Sequence, residues 1–493
     1  MLRRCHLSKY NTKLSQKMKL DKLTRARWMH PLRVRRKWEL YRLRHFLLGM
    51  DPERIVCLGY RTGNPARQLL AVYAGYSLLG TLMLLLPWAH RTDVKLMDHL
   101  FMAVSAISTT GLSTVDLGTA YTGFGQVVIL LLVQMGGLGY MTLSSFLMLR
   151  MTRHLGRTKA GLLRAQFSYP DTIDMATMLR SIVSFTFFFE MLGTLLLTPY
   201  FWWTGEANPL WSALFHTVSA FCTAGFSLSG DNLMAYRSDL YVNAVIALLA
   251  YAGAMGFIFM GDVRRRIAHR EGRLSFTSKV ILAITALLTL WSALHLFLFE
   301  PSLRNLPLGS RLLVSVFQSM SAMTTAGFNT VDITALSPLS LLIMTGAMYV
   351  GASPSGTGGG LKSTTLSAIF AYTRSKLGMR AEVTLCGNRI PAYRVEAAIT
   401  TAFVYTFLLG VGVWLIVLFE GEGADFLGIV FESSSALATA GLSSGVLADL
   451  SPWSKLVLVL LMYVGRVGVV TFGAGLLARS RHPNPRSGED MAV

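Results

Sequence analysis

Four short stretches decide the reading: FMAVSAISTTGLST (101–114), FHTVSAFCTAGFSL (215–228), FQSMSAMTTAGFNT (317–330) and FESSSALATAGLSS (431–444). In each, Phe stands ten residues before a glycine, Ser six before, Ala five before and Thr two before. The glycines are Gly111, Gly225, Gly327 and Gly441, separated by 114, 102 and 114 residues. Self-similarity at a near-constant period outranks local reading when an architecture is decided. The apolar part of each stretch is about 10–14 residues, too short to cross a bilayer and of the length of a re-entrant segment.

Working outward, eight longer apolar runs flank these stretches, roughly 69–88, 122–149, 181–203, 240–261, 278–299, 338–371, 397–419 and 453–478. Each approaches or exceeds the about 20 residues that a bilayer crossing needs. The repeated unit is therefore span, half-span, span. Segments after the second, fourth and sixth spans are basic: Arg150, Arg153, Arg157 and Lys159; Arg264, Arg265, Arg266, Arg270 and Arg273; Arg374, Lys376, Arg380, Arg389 and Arg394. The Lys/Arg asymmetry places these segments and both termini on the cytoplasmic side. All copies then run in the same direction, which argues against the inverted repeats usual in alternating-access transporters.

Composition agrees. The 493 residues are 52% hydrophobic and only 15% charged, with a mean hydropathy of +0.47. A soluble chain carries roughly 25% charged residues. An ordinary cytosolic enzyme, a disordered protein and a secreted disulfide scaffold are thereby disfavoured. The net charge is +20, and residues 1–67 hold 18 Lys/Arg against 4 Asp/Glu. The remaining positives fall between apolar runs, which is the positive-inside pattern and not a nucleic-acid footprint. No apolar h-region follows the basic start, so no cleaved signal peptide is expected. The arm, with Trp28, Trp38, Leu40 and Tyr41 among its basic residues, reads either as an amphipathic helix on anionic lipid or a partner, or as a basic tail. Cys5, Cys57, Cys222 and Cys386 form no CxxC; neither disulfide nor zinc is expected.

A half-helix that stops inside the bilayer must be followed by returning, non-helical backbone. Such backbone is tolerated only where it is buried in protein or lines a watery cavity. Glycine allows φ > 0, so carbonyls of the turn can aim at a common axis. Four such turns make rings of carbonyl oxygens of the kind that replace the hydration shell of potassium. The negative C-terminal ends of the half-helices favour a cation there too. Helix-packing glycines, the alternative reading, require neither the Thr nor the Phe.

The four T-[TA]-G-[FL]-[SN] turns on eight spans resemble the Trk/Ktr/HKT superfamily of potassium transporters, over residues from about 65 to 480. MYVGASPSGTGGGLKSTT (348–365) resembles that family's glycine-rich intramembrane loop, and MYVGRVGVVTF (462–472) its last helix with a buried arginine. Eight spans point to the Ktr-type membrane subunit; the long basic arm and GRVGVV without a following proline depart from that type. The resemblance implies potassium-binding filter turns at Thr109, Thr110 and Gly111; Thr223, Ala224 and Gly225; Thr325, Ala326 and Gly327; and Thr439, Ala440 and Gly441. Gly111, where some plant relatives have Ser, implies potassium over sodium. The resemblance further implies a homodimer regulated by a cytoplasmic RCK-type nucleotide-binding subunit, with potassium as substrate, sodium as a candidate coupling ion and no cofactor in this chain.

Gly351, Gly356, Gly358, Gly359, Gly360 and Lys362 belong to the loop, which reads as a gate: small residues can obstruct a pore and move aside with little repacking. The run from Gly356 to Ser363 is one residue from a phosphate-binding loop, with Leu361 where a glycine belongs, but it interrupts an apolar span rather than following a strand. Arg466 lies mid-span. An ionised residue there costs several kcal/mol unless paired, so it joins the gate residues, with loop carbonyls or pore water as expected partners. Glu190 lies within the third span. Asp116 and Asp332 each stand five residues after a repeat glycine, where they could concentrate cations or merely be solvated. His90, His99, His154, His216, His269 and His295 show no ligand spacing, and no nucleophile–base pattern stands out.

The expectation is thus an all-α polytopic membrane protein, not an enzyme. Its parts are a basic cytoplasmic arm (1–66), pore repeats at 67–150, 151–267, 268–374 (with the gate loop at 351–365) and 375–480, and a cytoplasmic tail (481–493). The expected activity is potassium uptake across the cytoplasmic membrane. The alternatives are a proton- or sodium-coupled symporter of the Trk type and, from another class, a membrane enzyme or scaffold.

Overall fold

The computed structural model describes residues 65–139, 175–269, 274–421 and 423–477. The basic arm up to 64, the clusters at 150–159 and 270–273, Cys5, Cys57 and the tail from 478 lie outside them. The described helices fall into four sets. The first is α1 (Pro65–Leu84), α2 (Leu96–Ile107) and α3 (Gly123–Leu138); the second α4 (Met175–Trp203), α5 (Pro209–Phe221) and α6 (Leu240–His269). The third is α7 (Phe276–Phe299), α8 (Leu308–Thr324), α9 (Pro338–Val350) and α10 (Ser363–Leu377); the fourth α11 (Ala392–Glu420), α12 (Phe426–Leu437), α13 (Pro452–Val467) and α14 (Val469–Leu477). Beside the helices, the described residues hold a two-residue antiparallel hairpin, Thr384–Leu385 with Asn388–Arg389, and an isolated bridge between His90 and Tyr121.

The expected half-spans are the short helices α2, α5, α8 and α12. A surface helix shows one apolar stripe, whereas these are covered on nearly all sides. The repeated Phe explains itself here: Phe101, Phe215, Phe317 and Phe431 are all at most 2% exposed, each burial contributing about 1.5–3 kcal/mol. Each half-span packs between the two longer helices of its own set, and the second long helix also packs on the half-span of the next set: α3 on α5, α6 on α8, α9 on α12. The pattern closes, because α13 of the fourth set packs on α2 of the first. The two ends of the described residues meet beside that closure, where Arg67 Nε donates to Gly475 O at 2.8 Å and Tyr463 Oη to Leu70 O at 2.6 Å.

The second helix of three sets carries a glycine against the last residue of its own half-span. A Cβ at Gly136 would lie 2.1 Å from Ile107 O, at Gly253 1.9 Å from Phe221 O, and at Gly465 2.1 Å from Leu437 O. The helices touch there backbone to backbone. On the first long helices the outward residues are apolar and exposed, among them Leu78, Leu195, Trp291 and Trp414. Apolar area of this extent belongs against lipid.

Four described helices are long and apolar enough to cross a bilayer: Leu179–Trp203, Leu240–Arg266, Phe276–Phe299 and Ala392–Glu420. Of the other expected spans, that at 122–149 is described only as far as Gly139. The run expected at 338–371 is two helices around the loop, and that expected at 453–478 bends by 101° between α13 and α14. The cause repeats: Gly139, Gly256, Gly351 and Gly468 all take positive φ, between 65° and 94°, at matching places in the four second helices.

At the opposite end of each second helix, its N-cap is clasped to the end of the first. Thr122 Oγ1 donates to Trp88 O at 2.6 Å, Tyr200 Oη donates to Asp239, Ser337 Oγ donates to Glu300 at 2.7 Å, and Ser451 N donates to Glu420 at 2.9 Å. Burial pushes the Glu300 carboxyl up, but hydrogen bonds from Ser340, Ser337 and Ser302 outweigh it and hold it below the usual glutamate range.

Two outcomes follow. Gly253→Ala will lower the thermal midpoint of the purified protein by the equivalent of about 1–3 kcal/mol of overpacking, while Gly410→Ala, whose Cβ would meet nothing within 4 Å, will not. A carboxyl with a lowered folded pKa contributes stability above its unfolded pKa and loses it as pH falls through the folded value. The midpoint should therefore fall less between about pH 6 and about pH 3 in Glu300→Gln than in the unaltered chain.

Candidate functional site

At the end of each half-span the backbone turns back. The threonine two before each glycine is left-handed: φ is 52° at Thr109 and Thr223, 55° at Thr325 and 48° at Thr439. A β-branched residue there costs on the order of 1–3 kcal/mol and persists only where its surroundings over-determine it. Two backbone bonds do so in every copy. The Thr N–H donates to the carbonyl of the Ala three before it (Ala106, Ala220, Ala322, Ala436), at 3.0–3.3 Å. The N–H of the next residue (Thr110, Ala224, Ala326, Ala440) donates to Ser105, Ser219, Ser321 or Ser435 O at 2.7–2.9 Å. Among the described residues, the carbonyls of Thr110, Ala224, Ala326 and Ala440 accept no hydrogen bond.

Those four carbonyls define a ring. A Cβ on Gly111 would lie 2.1 Å from Ala224 O, on Gly225 2.7 Å from Ala326 O, on Gly327 2.6 Å from Ala440 O, and on Gly441 2.0 Å from Thr110 O. Each glycine backs onto the carbonyl of the next repeat, and the fourth onto the first. All four glycines are also at positive φ, from 66° to 95°. Only glycine meets both demands without strain.

Outside the ring lies a cavity of about 300 Å³ lined by Gly111, Gly225, Gly441 and the carboxylates of Asp116, Asp231 and Asp332, with no Lys or Arg in its wall. Asp116 and Asp332 also cap short helical turns, accepting from Gly118 N and Thr334 N at 3.0 Å. Both carboxylates thus cap a turn and line the cavity.

On the other side of the ring lies the loop 351–362. Its stem is pinched shut: Ala352 N donates to Gly359 O at 3.0 Å, Leu361 N to Tyr349 O at 2.9 Å and Lys362 N to Val350 O at 2.9 Å. Its tip touches three of the four threonines. Thr357 Oγ1 pairs with Thr223 Oγ1 at 3.2 Å, Gly359 N donates to Thr325 Oγ1 at 2.9 Å, and a Cβ on Gly359 would lie 2.3 Å from Thr439 Oγ1. The Lys362 ammonium folds back on Gly358 O at 2.6 Å and Gly359 O at 3.3 Å. Gly351 packs against Gly360, and Gly356 against Ala254 O. A helix precedes this loop where a phosphate-binding loop would have a strand.

The loop also repairs a break. With Gly256 at φ 78° and ψ 167°, α6 leaves carbonyls before the break and N–H groups after it without helical partners, an expensive state at membrane depth. Ser353 Oγ donates to Ala254 O at 2.8 Å and Met255 O at 2.6 Å, and Thr357 N to Gly253 O at 3.0 Å. In return Phe257 N donates to Ser355 O at 3.3 Å. Arg466 braces the tip from the side, donating to Thr357 O and to Gly136 O. Its expected loop-carbonyl partner is therefore present. Glu190, 5% exposed, accepts a long contact from Cys222 Sγ at 3.9 Å. Cys222 and Cys386 are free thiols.

A ring of four half-span turns closed by one chain is the geometry against which relatives can be compared. A family model described as TrkH, cation transport protein, matches residues 71–489. The chain belongs to this family. The Ktr system potassium uptake protein B of Vibrio alginolyticus is 34% identical over 85% of this chain and 92% of its own. The potassium/sodium uptake protein NtpJ of Enterococcus hirae is 30% identical over 85% and 94%. The crystal structure of the potassium transporter TrkH from Vibrio parahaemolyticus superposes with a TM-score of 0.65 at 19% identity, over 83% of this chain and 84% of that one, a likeness of fold. As a TrkH-family member this chain is a multi-pass membrane transport protein, not an enzyme.

Sequence reasoning missed three features of this member. Asp231 joins the cavity wall one residue out of register, six after its glycine. The helix breaks are foreshadowed in three copies by G-x-x-G, at 136–139, 253–256 and 465–468. The third is the varied residue directly after each repeated Phe, taken up below.

Ser353→Ala will leave the Met255 carbonyl without its donor, and Ala254 O with the Ser353 backbone N–H alone, at about 1–3 kcal/mol. The measurable result is faster amide hydrogen exchange at Phe257 and Ile258 in detergent-purified protein, with exchange in α11 unchanged.

Proposed function

We propose that this chain carries potassium into the cell across the cytoplasmic membrane, through the ring of four turns acting as a selectivity filter. The observation that carries this reading is the closed ring of hydrogen-bond-free carbonyls backed by glycines, with acids on one side and a loop on the other. Carbonyl rings replace the hydration shell of potassium, and carboxylates without opposing cations raise the local cation concentration. The names of the relatives, potassium uptake and potassium/sodium uptake, support the same substrate.

On this reading Thr109 to Gly111, Thr223 to Gly225, Thr325 to Gly327 and Thr439 to Gly441 line the filter, within four pore repeats. The loop 351–362 is the gate in its obstructing position, directly against the filter threonines. Lys362 and Arg466 add positive charge beneath the filter and oppose cation passage until the loop moves. Both termini and the basic loops face the cytoplasm, consistent with the Lys/Arg asymmetry. The word system in the names of the Ktr relatives supports assembly with other subunits. A cytoplasmic nucleotide-binding subunit of the RCK type, acting on a homodimer of this chain, is the partner proposed here, and sodium is the proposed coupling or activating ion.

The test is rubidium-86 uptake into liposomes holding the purified full chain, with excess potassium or sodium as competitor, beside Gly225→Ser. Potassium should block uptake at lower concentration than sodium. The added side chain at Gly225, forced against Ala326 O, should narrow that difference at least about tenfold, the equivalent of about 1.4 kcal/mol. Equal block by both ions, unchanged in the variant, would exclude the ring as the filter.

A further inference from the structure

The residue nine before each filter glycine is not repeated: it is Met102, His216, Gln318 and Glu432. All four are buried on the half-spans, at 0%, 3%, 1% and 0% exposure. Three of them reach across to the segment that follows the filter. His216 Nε2 pairs with Ser227 Oγ at 2.9 Å, while its Nδ1 is held by Ser212 O at 2.8 Å. Gln318 Oε1 accepts from Thr330 N at 3.4 Å. Glu432 Oε1 accepts from Ser443 Oγ at 2.5 Å and from Ser444 N at 2.9 Å. The partners stand two or three residues after their glycines in every case.

Met102 can make no such bond, and its repeat is held differently. Gly111 N donates to Ser105 Oγ at 3.1 Å. The equivalent hydroxyls of Ser219, Ser321 and Ser435 have no partner among the described residues. The two devices alternate: a quadrant has either the brace from the half-span or the bond from the serine.

We propose that this position is the outer brace of each filter quadrant, and that Glu432 is the positioning residue that most strongly sets discrimination between permeant ions. The proposal rests on the filter reading above. Glu432 makes the most and the shortest bonds to the segment that follows the filter, where His216 and Gln318 make one each, so its quadrant is the stiffest. The braced segment is joined directly to Gly441, so the brace fixes how far the Ala440 and Gly441 carbonyls can move inward. A ring held at potassium spacing cannot close on the smaller sodium ion; a freed quadrant can. The order of stiffness follows the bonds: Glu432, then His216, then Gln318, with Met102 contributing none.

The experiment is rubidium-86 uptake into liposomes by the full chain, read as the ratio of sodium to potassium concentrations giving half-block. Glu432→Ala should lower that ratio about fivefold (about 1 kcal/mol at 1.4 kcal/mol per tenfold). Glu432→Gln, whose Oε1 can accept the same two donors, should keep the ratio near that of the unaltered chain. Gln318→Ala should lower it less than Glu432→Ala does. If Glu432→Ala does not yield a monodisperse protein, Ser443→Ala removes the shorter of the two bonds and should shift the ratio in the same direction. A fall in total uptake with the ratio intact would reduce Glu432 to a structural role and overturn the proposal, as would a Glu432→Gln as damaging as Glu432→Ala. Gly225→Ser measured alongside separates the two failures. If it shifts the ratio while the Glu432 and Ser443 variants do not, the brace is wrong and the filter stands; if none shifts it, the filter reading falls first.

Discussion

The contact on which this structure depends is the approach of each repeat glycine to a carbonyl of the next repeat. At Gly441 a Cβ would lie 2.0 Å from Thr110 O, and that one contact joins residues more than 300 positions apart in sequence. Four such contacts in a cycle fix how close the turns come and how far each half-span enters. The same cycle dictates the packing around it, since a second helix must lie between its own half-span and the next. It also explains why the small residues sit where backbones meet: Gly136, Gly253 and Gly465 let the second helices come close enough for the ring to form. In a bilayer no water is available to rescue a poorly matched turn, so the ring tolerates little variation in its backbone.

The loop beneath the ring is held by a different logic. Few of its contacts are side chains in a core. Most are hydrogen bonds to groups that the break at Gly256 leaves without partners. Water in a cavity can make the same bonds at little enthalpic loss. Displacing the loop therefore costs a set of exchangeable bonds rather than a cavity in packed apolar matter. The bonds from Arg466 to Thr357 O and Gly136 O tie the loop to two repeats that did not supply it. Loop, broken helix and arginine form one mechanical unit drawn from all four repeats.

Much of this was legible in the sequence, for a physical reason: in a fourfold ring each constraint is written four times. The Phe, Ser, Ala, Thr and Gly of the repeat each answer to a contact that recurs. The half-spans and the turns could be placed from those residues alone; the loop at 351–362 was marked instead by its own run of glycines and small residues. What escaped reading was mostly what is not repeated, with the helix breaks after G-x-x-G as the exception. Asp231 is out of register by one residue, so alignment on the glycine hides it. Met102, His216, Gln318 and Glu432 share a location but no chemistry, and their partners are two or three residues past the turn. The bend of 101° at Gly468 is invisible to hydropathy, since apolar residues continue through it.

Carrying the four quadrants on one polypeptide has a consequence for how such a ring can change over generations. In an assembly of identical subunits, one codon alters every quadrant at once, and any cost is incurred fourfold. Here a substitution reaches a single quadrant. The four quadrants of this ring already differ: Thr110 stands where the others have Ala, and Met102 where the others are polar. Selection can thus adjust this ring in quarter steps, testing each against three unaltered neighbours.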